Sequence, residues 1–163
     1  MTKVQLSQHF TLSEFTNSDT ANRRGITNTP PLAATICLTA LCHNVLEPLR
    51  RFADQPIVIS SGFRSKTLNA AVGGAPNSQH MTGEAADIQI PYKETREGNK
   101  TVRIQDLDLG KKWFEYLKSL PHDQLIWERS SPNSPTYWIH VSCRIDLSKN
   151  RNQCIPLLNK NKG

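Results

Sequence analysis

Ser78-Gln79-His80-Met81-Thr82-Gly83-Glu84-Ala85-Ala86-Asp87 sets an imidazole and a carboxylate seven residues apart, with Gly83 between them. On one continuous helix His80 and Asp87 would stand two turns apart, roughly 10 Å, too far to touch one ion. The segment therefore has to bend, and Gly83 can take the backbone angles of a bend. Beyond it, residues 86–90 (Ala-Asp-Ile-Gln-Ile) read as a short strand, so His80 falls on the loop and Asp87 at the strand start. Downstream, residues 136–142 (Thr-Tyr-Trp-Ile-His-Val-Ser) read as a second strand carrying His140. Two histidines and one aspartate make a three-ligand zinc set with an open fourth position, the catalytic rather than the structural pattern.

Outward from this stretch, mixed helices and strands without a βαβ rhythm predict an α+β fold, a small antiparallel or mixed sheet with packed helices. Thr11 and Glu14 fit a capping box opening a short helix. Residues 17–31 read as loop. Ile36, Leu38, Leu41, Val45, Leu49 and Phe52 recur at helical spacing, marking a long core helix that Pro48 is expected to kink or interrupt. Residues 56–61 read as a buried strand, and Ser65 as the cap of a helix holding Leu68 and Ala71. Residues 91–100 read as an exposed charged loop. Residues 107–120 read as an amphipathic helix, and 124–128 as a strand pairing antiparallel with the His140 strand. Strand alternation puts Trp138, His140 and Ser142 on a cleft face, and Tyr137, Ile139 and Val141 on the core face.

The 163 residues suit one domain, read as 1–147, with a basic, loosely ordered tail over 148–163. A net charge of +6 and a pI near 9.3 favour anionic partners. The basic residues are scattered without interleaved aromatics, which argues against specific nucleic-acid binding. No run of about 18 apolar residues marks a transmembrane span, and MTKVQLSQHF lacks the apolar core of an export signal. Cys37, Cys42, Cys143 and Cys154 show no zinc-type pairing and read as small buried thiols. A monomer made in the cytoplasm is expected.

Ser61-Gly62-Phe63-Arg64-Ser65, Leu68-Asn69, Ala71-Val72-Gly73-Gly74-Ala75, the Ser78 to Asp87 stretch and Trp138-Ile139-His140-Val141-Ser142 together resemble the M15 zinc peptidases. That group includes D-Ala-D-Ala carboxypeptidases and phage endolysins that cut peptidoglycan stem peptides, and hedgehog signalling domains share the fold. The S-x-H-x-x-G-x-A-x-D pattern is complete at Ser78, His80, Gly83, Ala85 and Asp87. The resemblance implies Zn2+ on His80, Asp87 and His140, peptidoglycan peptides as substrate, and release to the cell wall, as for a phage lysis protein. It also implies a general base near the metal. Many members carry that acid just before the last histidine. Thr136, Tyr137 and Trp138 stand there instead, so Glu128 is the candidate, with Asp123 and Glu84 behind it. Trp138 also replaces a histidine that stabilises the oxyanion in many relatives, and counts as a candidate substrate contact. Arg64 matches an arginine that meets substrate charge or stabilises charge near the metal. Ser78 either contacts substrate or fixes its own loop. The competing reading is a non-catalytic zinc-containing binding module for cell wall or protein. The bond cut, by a carboxypeptidase or an endopeptidase, stays open.

Overall fold

Along the sixth strand Ile139 and Val141 are fully buried, alternating with His140 and Ser142. This alternation sorts the two faces of the sheet. In the computed structural model, which describes residues 3–159, the strands run β1 (Ile59–Ser61), β2 (Ala85–Gln89), β3 (Tyr92–Glu97), β4 (Lys100–Gln105), β5 (Gln124–Arg129), β6 (Tyr137–Ser142) and β7 (Gln153–Asn159). The main sheet has the order β1-β2-β6-β5-β7. All neighbours pair antiparallel except β5 and β7, which are parallel. The α+β architecture with a mixed sheet is the one expected.

Ile88, Leu125, Trp127, Ile139 and Val141 make the core face, against helices α3 (Leu32–Leu41), α4 (Glu47–Ala53) and α6 (Leu107–Lys118), while the short α5 (Lys66–Ala71) follows β1. Leu117 follows Trp113 by four residues and Phe114 by three, so the three share one face of α6, and all are buried. Asp106 starts that helix by accepting the Leu109 N–H at 3.2 Å. The capping box also forms: the Glu14 carboxylate accepts the Thr11 N–H at 2.7 Å, at the start of α1 (Leu12–Thr16).

Helices α3 and α4 join through a π-helical segment, Cys42–Leu46, into one stretch. The Glu47 N–H reaches back five residues to the Cys42 carbonyl. The wider turn comes immediately before Pro48, whose ring would crowd an ordinary helical turn and which has no N–H to donate. The proline is thus absorbed without ending the helix. Leu32–Ala53 is long and apolar enough by length and composition to cross a membrane, although Thr35, Thr39, His43 and Asn44 interrupt any continuous apolar run. Here Leu38, Leu41, Val45, Leu46 and Leu49 are fully buried in the core.

Three expectations are corrected. The loop predicted over 17–31 contains α2 (Asp19–Arg24), capped by Ser18 and closed by Gly25 in the left-handed region. The exposed loop predicted over 91–100 is the first strand of a β3–β4 hairpin in full register from Tyr92↔Gln105 to Glu97↔Lys100. Its residues are mostly exposed, so no apolar alternation betrays it. In the tail expected to be loosely ordered over 148–163, the described residues add β7 to the sheet edge, and 160–163 lie outside the described residues. The cysteines form no disulfide among the described residues. Cys42 and Cys143 are buried as expected, whereas Cys154 is exposed. Burial pushes the Cys42 thiol up to about 12.

Asp123, 0 % exposed, fastens the tail. Its carboxylate accepts from the Arg151 backbone N–H at 2.9 Å, from Arg151 Nη2 at 2.6 Å and from Arg144 Nε at 3.2 Å. The role of reserve base considered for it is therefore already taken up by structure. Burial alone would raise its pKa, but the donors of Arg151 and Arg144 outweigh that and hold it well below the usual carboxylate range. A pKa lowered in the folded state gives stability that is complete above the unfolded value of about 4, and that is lost as pH falls below it. Asp123→Asn is expected to lose about 1–3 kcal/mol near neutral pH. Its melting temperature should also fall less steeply than that of the wild type on acidification from about pH 6 to about pH 3. Parallel melting curves against pH would show that the clamp contributes nothing.

Candidate active site

His80 sits on a 3-10 turn, Gln79–Thr82, whose N-terminus is capped by Ser78. The Ser78 hydroxyl accepts the His80 N–H at 3.3 Å. The turn ends at Gly83 with φ 76°, where a Cβ would collide with the Ala34 carbonyl on α3. Only glycine meets both demands, the left-handed angle and the close backbone. From there the chain enters β2, and Asp87 falls directly opposite His140 on β6. A loop and two adjacent strands thus deliver three ligand groups to one point. One ligand atom from each of His80, Asp87 and His140 lies within 4.8 Å of the others.

The donor set fits a metal ion. His80 Nδ1 lies 2.7 Å from the Gly62 carbonyl oxygen, which can only accept, so Nδ1 carries the proton. Nε2 then presents a lone pair, 3.3 Å from Asp87 Oδ1. His140 Nδ1 approaches the same carboxylate oxygen at 2.9 Å. A lone pair facing a carboxylate in a buried site suits a cation between them, and two imidazoles with one carboxylate suit Zn2+. Burial lowers the His80 pKa against the pull of Asp87, which favours the neutral ligand form. Burial would raise the Asp87 pKa, but the two imidazoles set against its carboxylate outweigh that and hold it well below the usual carboxylate range.

Arg64 buttresses the group. Its Nη2 lies 3.5 Å from Asp87 Oδ2, its Nη1 donates to Asn69 Oδ1 at 3.1 Å and its Nε to Ser61 Oγ at 3.1 Å. Three of its five N–H donors are committed in these bonds. Gly62, beside it, lets the end of β1 pack on α1, since a Cβ there would stand 2.6 Å from the Phe15 backbone. Asn69 was quoted in the sequence motif without a role, and its contact with Arg64 now supplies one.

A cavity of about 730 Å³ opens over the group. His80, Asp87, His140, Arg64, Ser78 and Glu128 all line it. Glu128 is buried, and strand alternation puts it on the same face of β5 as Ile126, the cross-strand partner of His140. Trp138 shares the His140 face of β6, as partner of Glu128, but is not among the lining residues. Glu84 does not line the cavity either, and it accepts from Gln79 Nε2 at 3.1 Å. Sequence reasoning missed Arg144 and Arg151, which do line it. They lie beyond the recognisable motifs, and no local pattern separates them from other surface arginines.

These features define a candidate metal site at the floor of an open cavity. The family model for Peptidase M15 matches residues 8–112, and the chain belongs to that family. A 35-residue stretch is 60% identical to the zinc D-Ala-D-Ala carboxypeptidase of Streptomyces albus G. This match takes in 22% of the present chain and 14% of the relative. The family match contains Arg64, His80 and Asp87 but ends before Glu128 and His140, so the second half of the site rests on the sheet geometry.

The protein is expected to take up about one Zn2+ per chain with N/O ligands only. His140→Ala, which removes one of three ligands, should abolish tight binding in a competition titration against a chromophoric chelator. Replacing all four cysteines with serine should leave the stoichiometry as it was. Zn–S scattering in X-ray absorption would contradict the assignment.

Proposed function

We propose that this protein is a zinc-dependent peptidase that hydrolyses amide bonds in peptidoglycan stem peptides. The observation that carries the reading is the convergence of His80, Asp87 and His140 in a cavity that also holds a buried carboxylate, Glu128. The Streptomyces albus G relative, by name a zinc D-Ala-D-Ala carboxypeptidase, supports the substrate class.

Zinc held there would acidify a water and polarise the substrate carbonyl. The rest falls to the chain's own side chains. Glu128 accepts the proton of the attacking water at its carboxylate and returns it to the leaving amine. Arg64, with two N–H donors beyond its three protein bonds, meets the substrate carboxylate, and Asn69 and Ser61 keep its fork in place. The Gly62 carbonyl and Ser78 hold His80 in its ligating tautomer and position. A clamp for a terminal carboxylate favours carboxypeptidase over endopeptidase action.

Glu128→Gln keeps size and reach but cannot take a proton at neutral pH. It is expected to retain zinc and to lose turnover of a D-Ala-D-Ala peptide by roughly 10²- to 10⁴-fold. Normal turnover in this variant would move the base elsewhere. Zinc binding without cleavage of any wall peptide by the wild type would leave a binding module as the function.

A further inference from the structure

The metal group lies between two arginine poles. Arg64 stands at the β1–β2 side, against Asp87. Arg144 and Arg151 stand at the opposite side of the same cavity, where β5 and β7 begin. Both are held from behind by the buried carboxylate of Asp123. Yet their side chains keep 36 % and 52 % of their exposure, so the clamp orients them without burying them. Arg144 commits only its Nε–H to hydrogen bonds among the described residues. Its Nη1 lies 3.9 Å from Glu84 Oε2, beyond hydrogen-bond range. Arg151 spends Nε and Nη2 on Asp123. Donors therefore remain on both guanidiniums inside a cavity large enough for several residues of peptide.

We infer that Arg144, with Arg151 beside it, forms a specificity subsite for a carboxylate carried by the peptide on the side of the scissile bond away from Arg64. This rests on the peptidase reading, with Arg64 taking the C-terminal carboxylate, and adds what the other end of the substrate must carry. Asp123 and Glu84 offset part of the positive charge. The attraction is therefore short-range and directional, through guanidinium N–H donors rather than a diffuse field. The Asp123 N–H donates to the Ser142 carbonyl, two residues or about 7 Å along β6 from His140, and Arg144 leaves the chain two residues further on; an extended peptide covers that span in about three residues. The subsite therefore reads a carboxylate about three residues before the cleaved bond.

The test compares acetyl-Glu-Lys-D-Ala-D-Ala with acetyl-Gln-Lys-D-Ala-D-Ala, which differ by one carboxylate at that distance. With the zinc-loaded wild type, KM for the Gln peptide should exceed KM for the Glu peptide about tenfold or more. In Arg144→Ala the ratio of the two KM values should fall to about one. Arg144→Gln is a second variant that keeps more of the side-chain packing. The comparison in the wild type needs no variant at all. Equal KM values for the two peptides in the wild type would overturn the subsite, as would a ratio unchanged in both variants. Should the wild type cleave neither peptide, the peptidase reading fails on its own. NMR titration of the metal-free wild type then decides the subsite: tighter binding of the Glu peptide supports it, and equal binding overturns it.

Discussion

Asp87 facing His140 across β2 and β6 is the constraint around which the molecule is arranged. A carboxylate buried to this degree is costly unless every lone pair meets a donor or a cation. Two imidazoles and the Arg64 guanidinium surround it, and each has its own support. His80 leans on the Gly62 carbonyl, Arg64 on Asn69 and Ser61. The Gly83 turn brings His80 back toward the strand it precedes. A side chain at either glycine would push a neighbouring backbone away, so the tight packing of α1 and α3 and the geometry of the metal group are one requirement.

The same sheet spreads charge across the cleft. Its core face is apolar and holds the helices, while its cleft face carries Asp87, His140 and Glu128 on adjacent strands. The metal group thus sits toward one side, with Arg64 next to it and the Arg144–Arg151 pair toward the other. Asp123 links this arrangement to stability. It orients both arginines, and through the Arg151 backbone it also anchors the segment leading into β7. A tail whose described residues add nothing to the metal group therefore shapes one end of the cavity.

Much of this was legible in the amino-acid order. The bend at Gly83, the capping box at Thr11, the amphipathic helix after Asp106 and the alternation of Ile139 and Val141 with His140 all rest on local rules. Those rules hold because a residue's conformational limits and its spacing along the chain do not depend on distant partners. The candidate ligands His80, Asp87 and His140 came from strand position together with the resemblance to the M15 peptidases. Helix α2 was missed although Ser18 and Gly25 mark its ends, because so short a helix carries no apolar repeat. The β3–β4 hairpin was missed because it buries almost nothing and so has no apolar face to show.

What only the tertiary structure decided is what lies across the sheet. Glu128 and His140 belong to one cavity because β5 pairs with β6 in a given register. A shift by one residue would have sent Glu128 to the core face. Asp123 became a clamp rather than a base because Arg144 and Arg151 reach it from 21 and 28 residues away. No periodicity in the chain records a meeting at that separation. The chain by itself determined which residues could serve as ligands, caps and core, since those properties are chemical and local. Their joint position in one cleft came from strand pairing and helix packing, because contact between distant side chains exists only once the backbone between them has closed.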